Sequence, residues 1–527
     1  MGIYLNPGNS GFKRILGSEY IDKTGIIAKI NDTIDTPKNL ISISRARRFG
    51  KSYTAQMLCA YYDITCDSKE LFDGLDISGY GSYGDYLNKY DVIYLDMTGI
   101  IGETDFNDIV PYIKRNITSE IIEKYPDVKA EEGFVGTLVN MVTENNRKLI
   151  MIIDEWDAPI REAKDDEKVQ KEYLDFLRSL FKNSGTTSRI FAAAYMTGIL
   201  PIKKDGSESA LSDFNEYTMI KPRQFGEYVG FTEAEVRHLC DKHNVDVEKM
   251  KKWYDGYSFA NVGSVYNPNS VMQAIDNEDF DSYWTETSAA ENLMDYITKD
   301  FSGLSKTIAE LIAGIDVPVD TNGFANDLTT FRNSDDVLTL MIHLGYVAYD
   351  SEKKTVHIPN EEIRREFSKT VKVASHNETI RRLKESEQLI TDTIHMNEEA
   401  VAAHIEKIHS EETAPIHYNS ENSLRSVIKL AYYTYRDYYV QWEELPAGVG
   451  YADVVYLPKK DSMFPALVIE LKWNKDADTA IKQIHDRKYP EALKGFCGEV
   501  ILVGVNYDKD AEPGKRKHSC KIEKITL

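Results

Sequence analysis

The stretch NLISISRARRFGKSYTAQ, residues 39–56, decides how the fold is read. NLISIS (Asn39 to Ser44) is a short, nearly continuous apolar run, the signature of a strand buried on both faces. SRARRFGKS (Ser44 to Ser52) follows it, and a helix is predicted from near Tyr53. A strand, a loop and a helix joined by Gly50-Lys51-Ser52 form the context a phosphate-binding loop requires. Backbone N–H groups at the helix start face an anion, Lys51 meets the β- and γ-phosphates, and Ser52 offers its hydroxyl to Mg²⁺. One position departs from the GxxxxGK[ST] pattern: its first glycine is Arg45 here. Glycine there normally supplies a left-handed backbone, so the loop's conformation is put in question.

Working outward, DVIYLDM (Asp91 to Met97), KLIMIID (Lys148 to Asp154) and RIFAAAYMTG (Arg189 to Gly198) repeat the apolar run. The runs start 40–60 residues apart with helical stretches between them, as parallel strands joined by crossovers require. The expectation is an α/β layer with helices on both faces of a parallel sheet. The run ending at Asp154-Glu155 puts two acids at a strand's C-terminal edge. Asp154 is placed to hold a metal's water shell, and Glu155 to polarise an attacking water. A strand that simply meets solvent at two acids would look the same, but the phosphate loop upstream favours the site. Thr197, in YMTGI, is a candidate sensor of the γ-phosphate, and Arg47 or Arg189 a candidate charge-stabilising arginine.

The 527 residues predict about three domains. With 42% apolar and 28% charged residues, the composition is globular and excludes a wholly disordered chain. Five cysteines form no CxxC pair, which argues against a disulfide framework or structural zinc and fits a reducing compartment. Apolar runs fall far short of the ~20 residues that span a bilayer, and the N-terminus lacks an apolar leader, so a cytoplasmic protein without membrane contact is expected. The net charge of −22 excludes a general nucleic-acid coat, because phosphate neutralisation needs basic surface. Any nucleic-acid contact must be local.

From about Pro201 to Thr413 the pattern turns helical. Ser334 to Leu344 is an amphipathic helix that stops at Gly345. YVAYD and TVHIP then read as a hairpin, and Asn360 caps another helix. Helix, hairpin, helix is the order of a winged helix (about 325–375), and also of a generic α+β connector. From Pro415 a tyrosine-rich helix (Ser420 to Tyr439) is expected. Strands around YADVVYL and ALVIELKW follow it, then a helix through Gln483 and a strand at VILVGV. KRKH (Lys515 to His518) reads as a solvated tail.

Taken in order, YIDKTGII (Tyr20 to Ile27), SRARRFGKS, LIMIIDEWDAPI, YMTGI, LSDFNEYT (Leu211 to Thr218), WYDGYSF (Trp253 to Phe259), VYNPNSV (Val265 to Val271) and YWTETS (Tyr283 to Ser288) run along most of the chain. In these segments it resembles the bacterial AAA-ATPase-like proteins that carry a C-terminal PD-(D/E)xK nuclease-like domain. The resemblance implies a P-loop NTPase core over 1–200, a helical region with a winged helix over 201–413, and an α/β restriction-endonuclease-like domain over 414–527. It also implies that a loop rich in arginine and lacking its first glycine is usual. The nucleotide-binding set is then Arg47, Arg48, Gly50, Lys51, Ser52, Asp154 and Thr197, with ATP and Mg²⁺ as cofactors and Glu155 as the catalytic acid–base.

In the last zone Asp453 lies in one predicted strand, and Glu470-Leu471-Lys472 in the next. Strand side chains alternate, so Glu470 and Lys472 share a face while Leu471 points to the core. If Asp453 lies on the adjacent strand, Asp453 and Glu470 can share Mg²⁺ or Mn²⁺, with Lys472 orienting a water or stabilising charge on phosphorus. Acid-rich strands also produce this spacing by chance. The resemblance adds Gln483, and with it Tyr489 on the following helix. The expected partner is nucleic acid, DNA foremost, with a homo-oligomer or an unidentified protein as further partners. The competing expectation is a nucleotide-gated interaction protein whose nuclease-like domain is an inert platform.

Overall fold

The computed structural model describes residues 2–163, 166–202, 211–284, 304–312, 314, 316–324, 331–373, 378–412, 421–432, 439–447, 450–459, 464–489, 493, 498–512 and 516–527. They divide into two compact units, Met1–Leu304 with Asp316–Lys369, and Ser305–Ile315 with Thr370–Leu527.

In the first unit the apolar runs are strands: β1 (Leu40–Ser44), β2 (Asp91–Asp96), β3 (Leu149–Asp154) and β4 (Phe191–Gly198), joined by a short β5 (Asn215–Tyr217). All neighbours are parallel, in the order β2-β3-β4-β1-β5. Side-chain alternation covers the sheet on both faces. Leu149, Met151 and Ile153 of β3 pack with Ile113, Ile117 and Ile121 of the helix Ile109–Lys124 and with Leu177 and Leu180 of the helix Glu167–Phe181. The helix Lys51–Tyr62, which also packs against β3, buries Ala55, Leu58 and Cys59. The register sets Ile43 beside Thr197 and Asp96 beside Asp154. The carboxyl ends of β1, β3 and β4 therefore lie side by side. The chain leaves β1 for the far edge and returns through β3 and β4. Its reversal falls next to β1, the place where open α/β sheets bind ligands.

Beyond this sheet, β6 (Phe231–Thr232), β7 (Tyr257–Phe259) and β8 (Gly263–Tyr266) form a small antiparallel sheet. The helices Glu233–His243, Val247–Tyr254 and Pro268–Asp276 share its core. The helix Ser334–Leu344 stops at Gly345 (φ +86°), where a side chain would collide with Ala46 and Trp284. A hairpin of β10 (Ala348–Asp350) and β11 (Thr355–His357) follows, with β9 (Val317–Pro318) on its other edge. Asn360 caps the helix Glu361–Val373 through the Ile363 N–H at 3.0 Å.

The second unit holds the helices Glu378–Ile394, Glu398–Glu412 and Glu421–Ala431. Its sheet runs β12 (Tyr439–Ala447), β13 (Gly450–Pro458), β14 (Ala466–Trp473), β15 (Glu499–Tyr507) and β16 (His518–Thr526), in that order. Only β14 and β15 are parallel, and the helix Ala477–Asp486 joins them. Here the structure corrects three expectations. The tyrosine-rich helix ends at Ala431, and Tyr439 opens a strand. Tyr489 lies past the end of its helix, buried in a turn. His518 is no tail residue but starts an edge strand, buried, with Nδ1 2.5 Å from Glu406. Lys515 lies outside the described residues, as do residues 433–438 of the tyrosine run. No helix among the described residues is long and apolar enough to cross a membrane.

Candidate functional site

The helix after β1 begins at Lys51, two residues before the predicted start, because Gly50 takes the left-handed conformation (φ +88°) and turns the chain into it. No side chain caps its first turn, so its N–H groups are open to an anion. The other left-handed residue of the loop is Arg48 (φ +65°), not Arg45. Arg45 has no need of glycine's freedom. Its side chain is buried, donating to the carbonyls of Ser44 (2.9 Å), Tyr217 (3.2 Å) and Phe225 (3.4 Å) and lying over the Phe259 ring. Burial pushes its guanidinium down to about 10. Arg45 thus ties the loop to β5 and the small sheet.

Lys51 is buried, its Nζ 3.0 Å from the Ala46 carbonyl, 3.2 Å from that of Arg45 and 3.5 Å from Glu155 Oε1. Asp154, at the end of β3, accepts from the Thr197 hydroxyl at 2.6 Å and also from Ser52. Burial raises its carboxyl, and those two hydrogen bonds oppose the rise. Glu155 has a left-handed backbone (φ +52°), a strained setting held by Trp156 N–H to the Thr197 carbonyl at 2.8 Å. Burial would raise its carboxyl, but Lys51, Arg161 and Arg47 outweigh burial and hold it low. Arg161 clamps Glu155 (2.5 Å) and Asp157 (2.9 Å) together. Asp157 in turn receives the N–H groups of Ile199 and Leu200. The sequence did not single out this Arg161–Asp157 brace. An arginine four residues after an aspartate, on the helix that follows the acid pair, was the available signal. The fold thus gathers Lys51, Ser52, Asp154, Glu155 and Thr197, with Arg47 and Arg48 beside them. Arg189 does not join them. It is exposed before β4, about 25 Å from that strand's other end at about 3.3 Å per residue.

In the second unit Asp453 (β13), Glu470 and Lys472 (β14) and Gln483 (helix Ala477–Asp486) also converge. Lys472 Nζ lies 2.9 Å from Glu470 Oε1 and from the Leu471 carbonyl, and Gln483 Nε2 donates to the same Glu470 oxygen. Asp453 accepts from the Leu471 N–H (2.9 Å) and from Arg425 (2.5 Å). Burial first, and the Asp453 charge second, push the Glu470 carboxyl up to about 7. Its Oε2 is buried with no hydrogen-bond partner. Two oxygen ligands on adjacent strands, one of them unpartnered, suit a hard divalent cation. No group of three or more His, Cys, Asp or Glu among the described residues is placed to hold a metal.

Residues 8–207 match the family model described as "Predicted AAA-ATPase". Over this stretch the chain is similar to that family. A protein of Azotobacter chroococcum mcd 1, described as uncharacterised and encoded in the vnfD 5′ region, is 22% identical over 285 residues, 53% of this chain and 52% of that protein. The chain thus spans about half the length of the curated relative it matches. Among solved structures, it is similar to a signal transduction ATPase with numerous domains and a tetratricopeptide repeat sensor from Pyrococcus horikoshii. That match has 13% identity and a TM-score of 0.27, over 78% of this chain and 50% of the other. It is also similar to the Aeropyrum pernix ORC2 protein, solved in ADPNP and ADP complexes, at 10% identity and a TM-score of 0.23, over 68% and 93% of the two chains. At these TM-scores the likenesses carry no argument about partners or assembly.

Two cavities meet at the loop between β1 and the helix Lys51–Tyr62. One, of about 560 Å³, is lined by Gly50, Lys51, Tyr20, Ile21, Met57 and residues of the helix Pro268–Asp276. The other, of about 800 Å³, lies beyond Ser52 among Arg47, Arg48, Arg161, Asp96, Asp154 and Glu155. Neither was legible in advance, since their walls come from segments up to about 260 residues apart.

Proposed function

We propose that the chain is an ATP-binding and ATP-hydrolysing switch whose nucleotide state governs a metal-dependent nuclease, with DNA as its substrate. The observation that carries the first half is the convergence of Lys51, Ser52, Asp154, Glu155 and Thr197 on an uncapped helix start at the sheet's carboxyl edge. A triphosphate there would draw Lys51 from the Arg45 and Ala46 carbonyls onto its β- and γ-oxygens. Thr197 would contact the γ-phosphate, and Arg47 and Arg48 would offset its charge. Glu155, held ionised by its neighbouring cations, would take the proton of the attacking water. Ser52 and Asp154, already hydrogen-bonded to each other, fit Mg²⁺, which would supply charge neutralisation on the phosphates.

The nuclease half is supported by the contacts among Asp453, Glu470, Lys472 and Gln483. Asp453 and Glu470 would hold Mg²⁺ or Mn²⁺, a cation that lowers the pKa of bound water. Lys472 would stabilise negative charge on the scissile phosphate and Gln483 would fix the Glu470 carboxylate. The helix–hairpin–helix of residues 334–373 fits a winged helix, through which the ATPase would act on the nuclease. A second reading, an inert nuclease-like platform, is favoured by one observation: Arg425, the Leu471 N–H, Lys472 and Gln483 already occupy oxygens of both acids.

The test is cleavage of plasmid, linear duplex and single-stranded DNA with Mg²⁺ or Mn²⁺, with and without ATP. Native protein, Lys472→Ala and Lys51→Ala are run side by side. The proposal expects metal-dependent cutting that Lys472→Ala abolishes, and an ATP effect that Lys51→Ala abolishes. No cutting of any substrate, with DNA binding retained, would replace the nuclease by the platform.

A further inference from the structure

Both carboxylate oxygens of Asp453 are taken, Oδ2 by the Leu471 N–H at 2.9 Å and Oδ1 by the Arg425 guanidinium at 2.5 Å. On β14, Glu470 Oε1 holds Lys472 Nζ and Gln483 Nε2, while its buried Oε2 has no hydrogen-bond partner. A divalent cation shared by the two acids could take Glu470 Oε2 as it stands. Asp453 offers an oxygen only when one of its donors leaves. The Leu471 N–H cannot, because β15 holds that strand in register, Leu471 beside Val505. Arg425 can: it sits on the helix Glu421–Ala431, is placed by side-chain torsions alone, and is 21% exposed. A guanidinium and a divalent cation on one carboxylate would also repel each other.

We infer that Arg425 is a latch on the metal site, occupying Asp453 until a phosphodiester of the nucleic-acid backbone draws it off, so that the cation and the nucleic acid each favour binding of the other. The inference rests on the metal-dependent nuclease reading and adds its regulation. Stripping a largely buried ion of its partner is costly, so the departing guanidinium needs another anion. A phosphodiester suits it, since its two free oxygens meet the guanidinium fork as a carboxylate does. Lys472 is less free to exchange, being tied also to the Leu471 carbonyl of its own strand at 2.9 Å. A further cation, Arg487, lies exposed past the helix Ala477–Asp486, close enough for the charges of Glu470 and Asp453 to act on it. The occupied oxygens that favour an inert platform are then the resting state of a site that its substrate opens.

The test is calorimetric titration of the full chain with Mn²⁺, with and without a saturating short duplex DNA, using Asp453→Asn to mark the heat that belongs to this site. Without DNA, Arg425→Gln is expected to bind Mn²⁺ about tenfold more tightly than the native protein, a gain that adding Asp453→Asn removes. Arg425→Lys keeps the charge without the fork and should fall between the two. The duplex should raise the native affinity for Mn²⁺ about tenfold, and by linkage Mn²⁺ should raise the native affinity for the duplex by the same factor. In Arg425→Gln the duplex should add less than about threefold. The native comparison needs no variant to fold. Equal Mn²⁺ affinity in native and Arg425→Gln, or a native affinity that the duplex leaves unchanged, would overturn the latch while leaving the metal site in place. If no form, with or without DNA, gives Mn²⁺ heat that Asp453→Asn removes, the nuclease reading itself falls.

Discussion

Each candidate site sets a buried lysine against a glutamate, and the two pairs are poised in opposite senses. At the phosphate loop, Lys51, Arg161 and Arg47 surround Glu155, so its carboxyl stays low although burial alone would raise it. On β14 the Lys472 contact does not compensate for burial and the neighbouring Asp453, and the Glu470 carboxyl rises to about 7. The first site supplies its own cations and holds its carboxyl low. The second sets Arg425 on Asp453 and Lys472 on Glu470 yet leaves one Glu470 oxygen unpartnered, the condition a divalent cation relieves. Proximity of a lysine therefore does not decide a carboxyl's state. The sum of burial and all facing charges does.

Breaking the first pair chemically should have the largest effect. Glu155→Gln keeps the shape and removes the base, so steady-state ATP hydrolysis should fall about 10²–10³-fold, with ATP affinity within a few-fold of native. Equal losses in rate and affinity would assign Glu155 to binding instead. Next comes the brace. Arg161→Ala leaves Glu155 and buried Asp157 without their shared cation, and should destabilise the protein by about 3 kcal/mol in denaturant unfolding. A loss under about 1 kcal/mol would mean that the backbone donors to Asp157 suffice.

The last prediction isolates burial itself. Glu362 is a third enclosed carboxyl, bound by the Ser270 hydroxyl (2.9 Å) and the Tyr283 N–H (2.8 Å), with Glu366 facing it. Burial carries it from its ordinary 4.5 to about 7. Folded Glu362 holds its proton more tightly than unfolded Glu362, so the native chain loses stability as pH rises from about 4.5 to about 7. Glu362→Gln removes that slope and should be the more stable form at pH 8, by up to about 3 kcal/mol. Parallel stability–pH profiles for the two proteins would refute the assignment.

The sheet of the first unit was legible because its strands are buried on both faces and announce themselves as continuous apolar runs. The phosphate loop and the acid pair were legible because chemistry fixes their spacing along the chain. The β14 pair was legible for the same reason, through strand alternation. What escaped is tertiary or marginal. β5 is three residues, Asn215–Tyr217, with no apolar run to mark it. β16 was visible only as a weak alternation, with Ile522 facing inward between half-exposed neighbours. Tyr432 and Tyr439 are both buried, as a helical stripe would have them, but a turn and a strand place them. Arg45 looked like a defect in a glycine position. Its role emerged only from carbonyls at Tyr217 and Phe225, some 170–180 residues on.

The measurement that bears most directly on the account is titration of the full chain with ATP and Mg²⁺, comparing native protein with Lys51→Ala of unchanged thermal stability. In the proposed function Lys51 is the cation that would meet the phosphates, and charge-assisted contacts of this kind contribute about 2–3 kcal/mol each. The account predicts a saturable site in the native protein and an affinity lower by about a hundredfold in the variant. Equal affinity in the two, or no binding by the native chain, would contradict it.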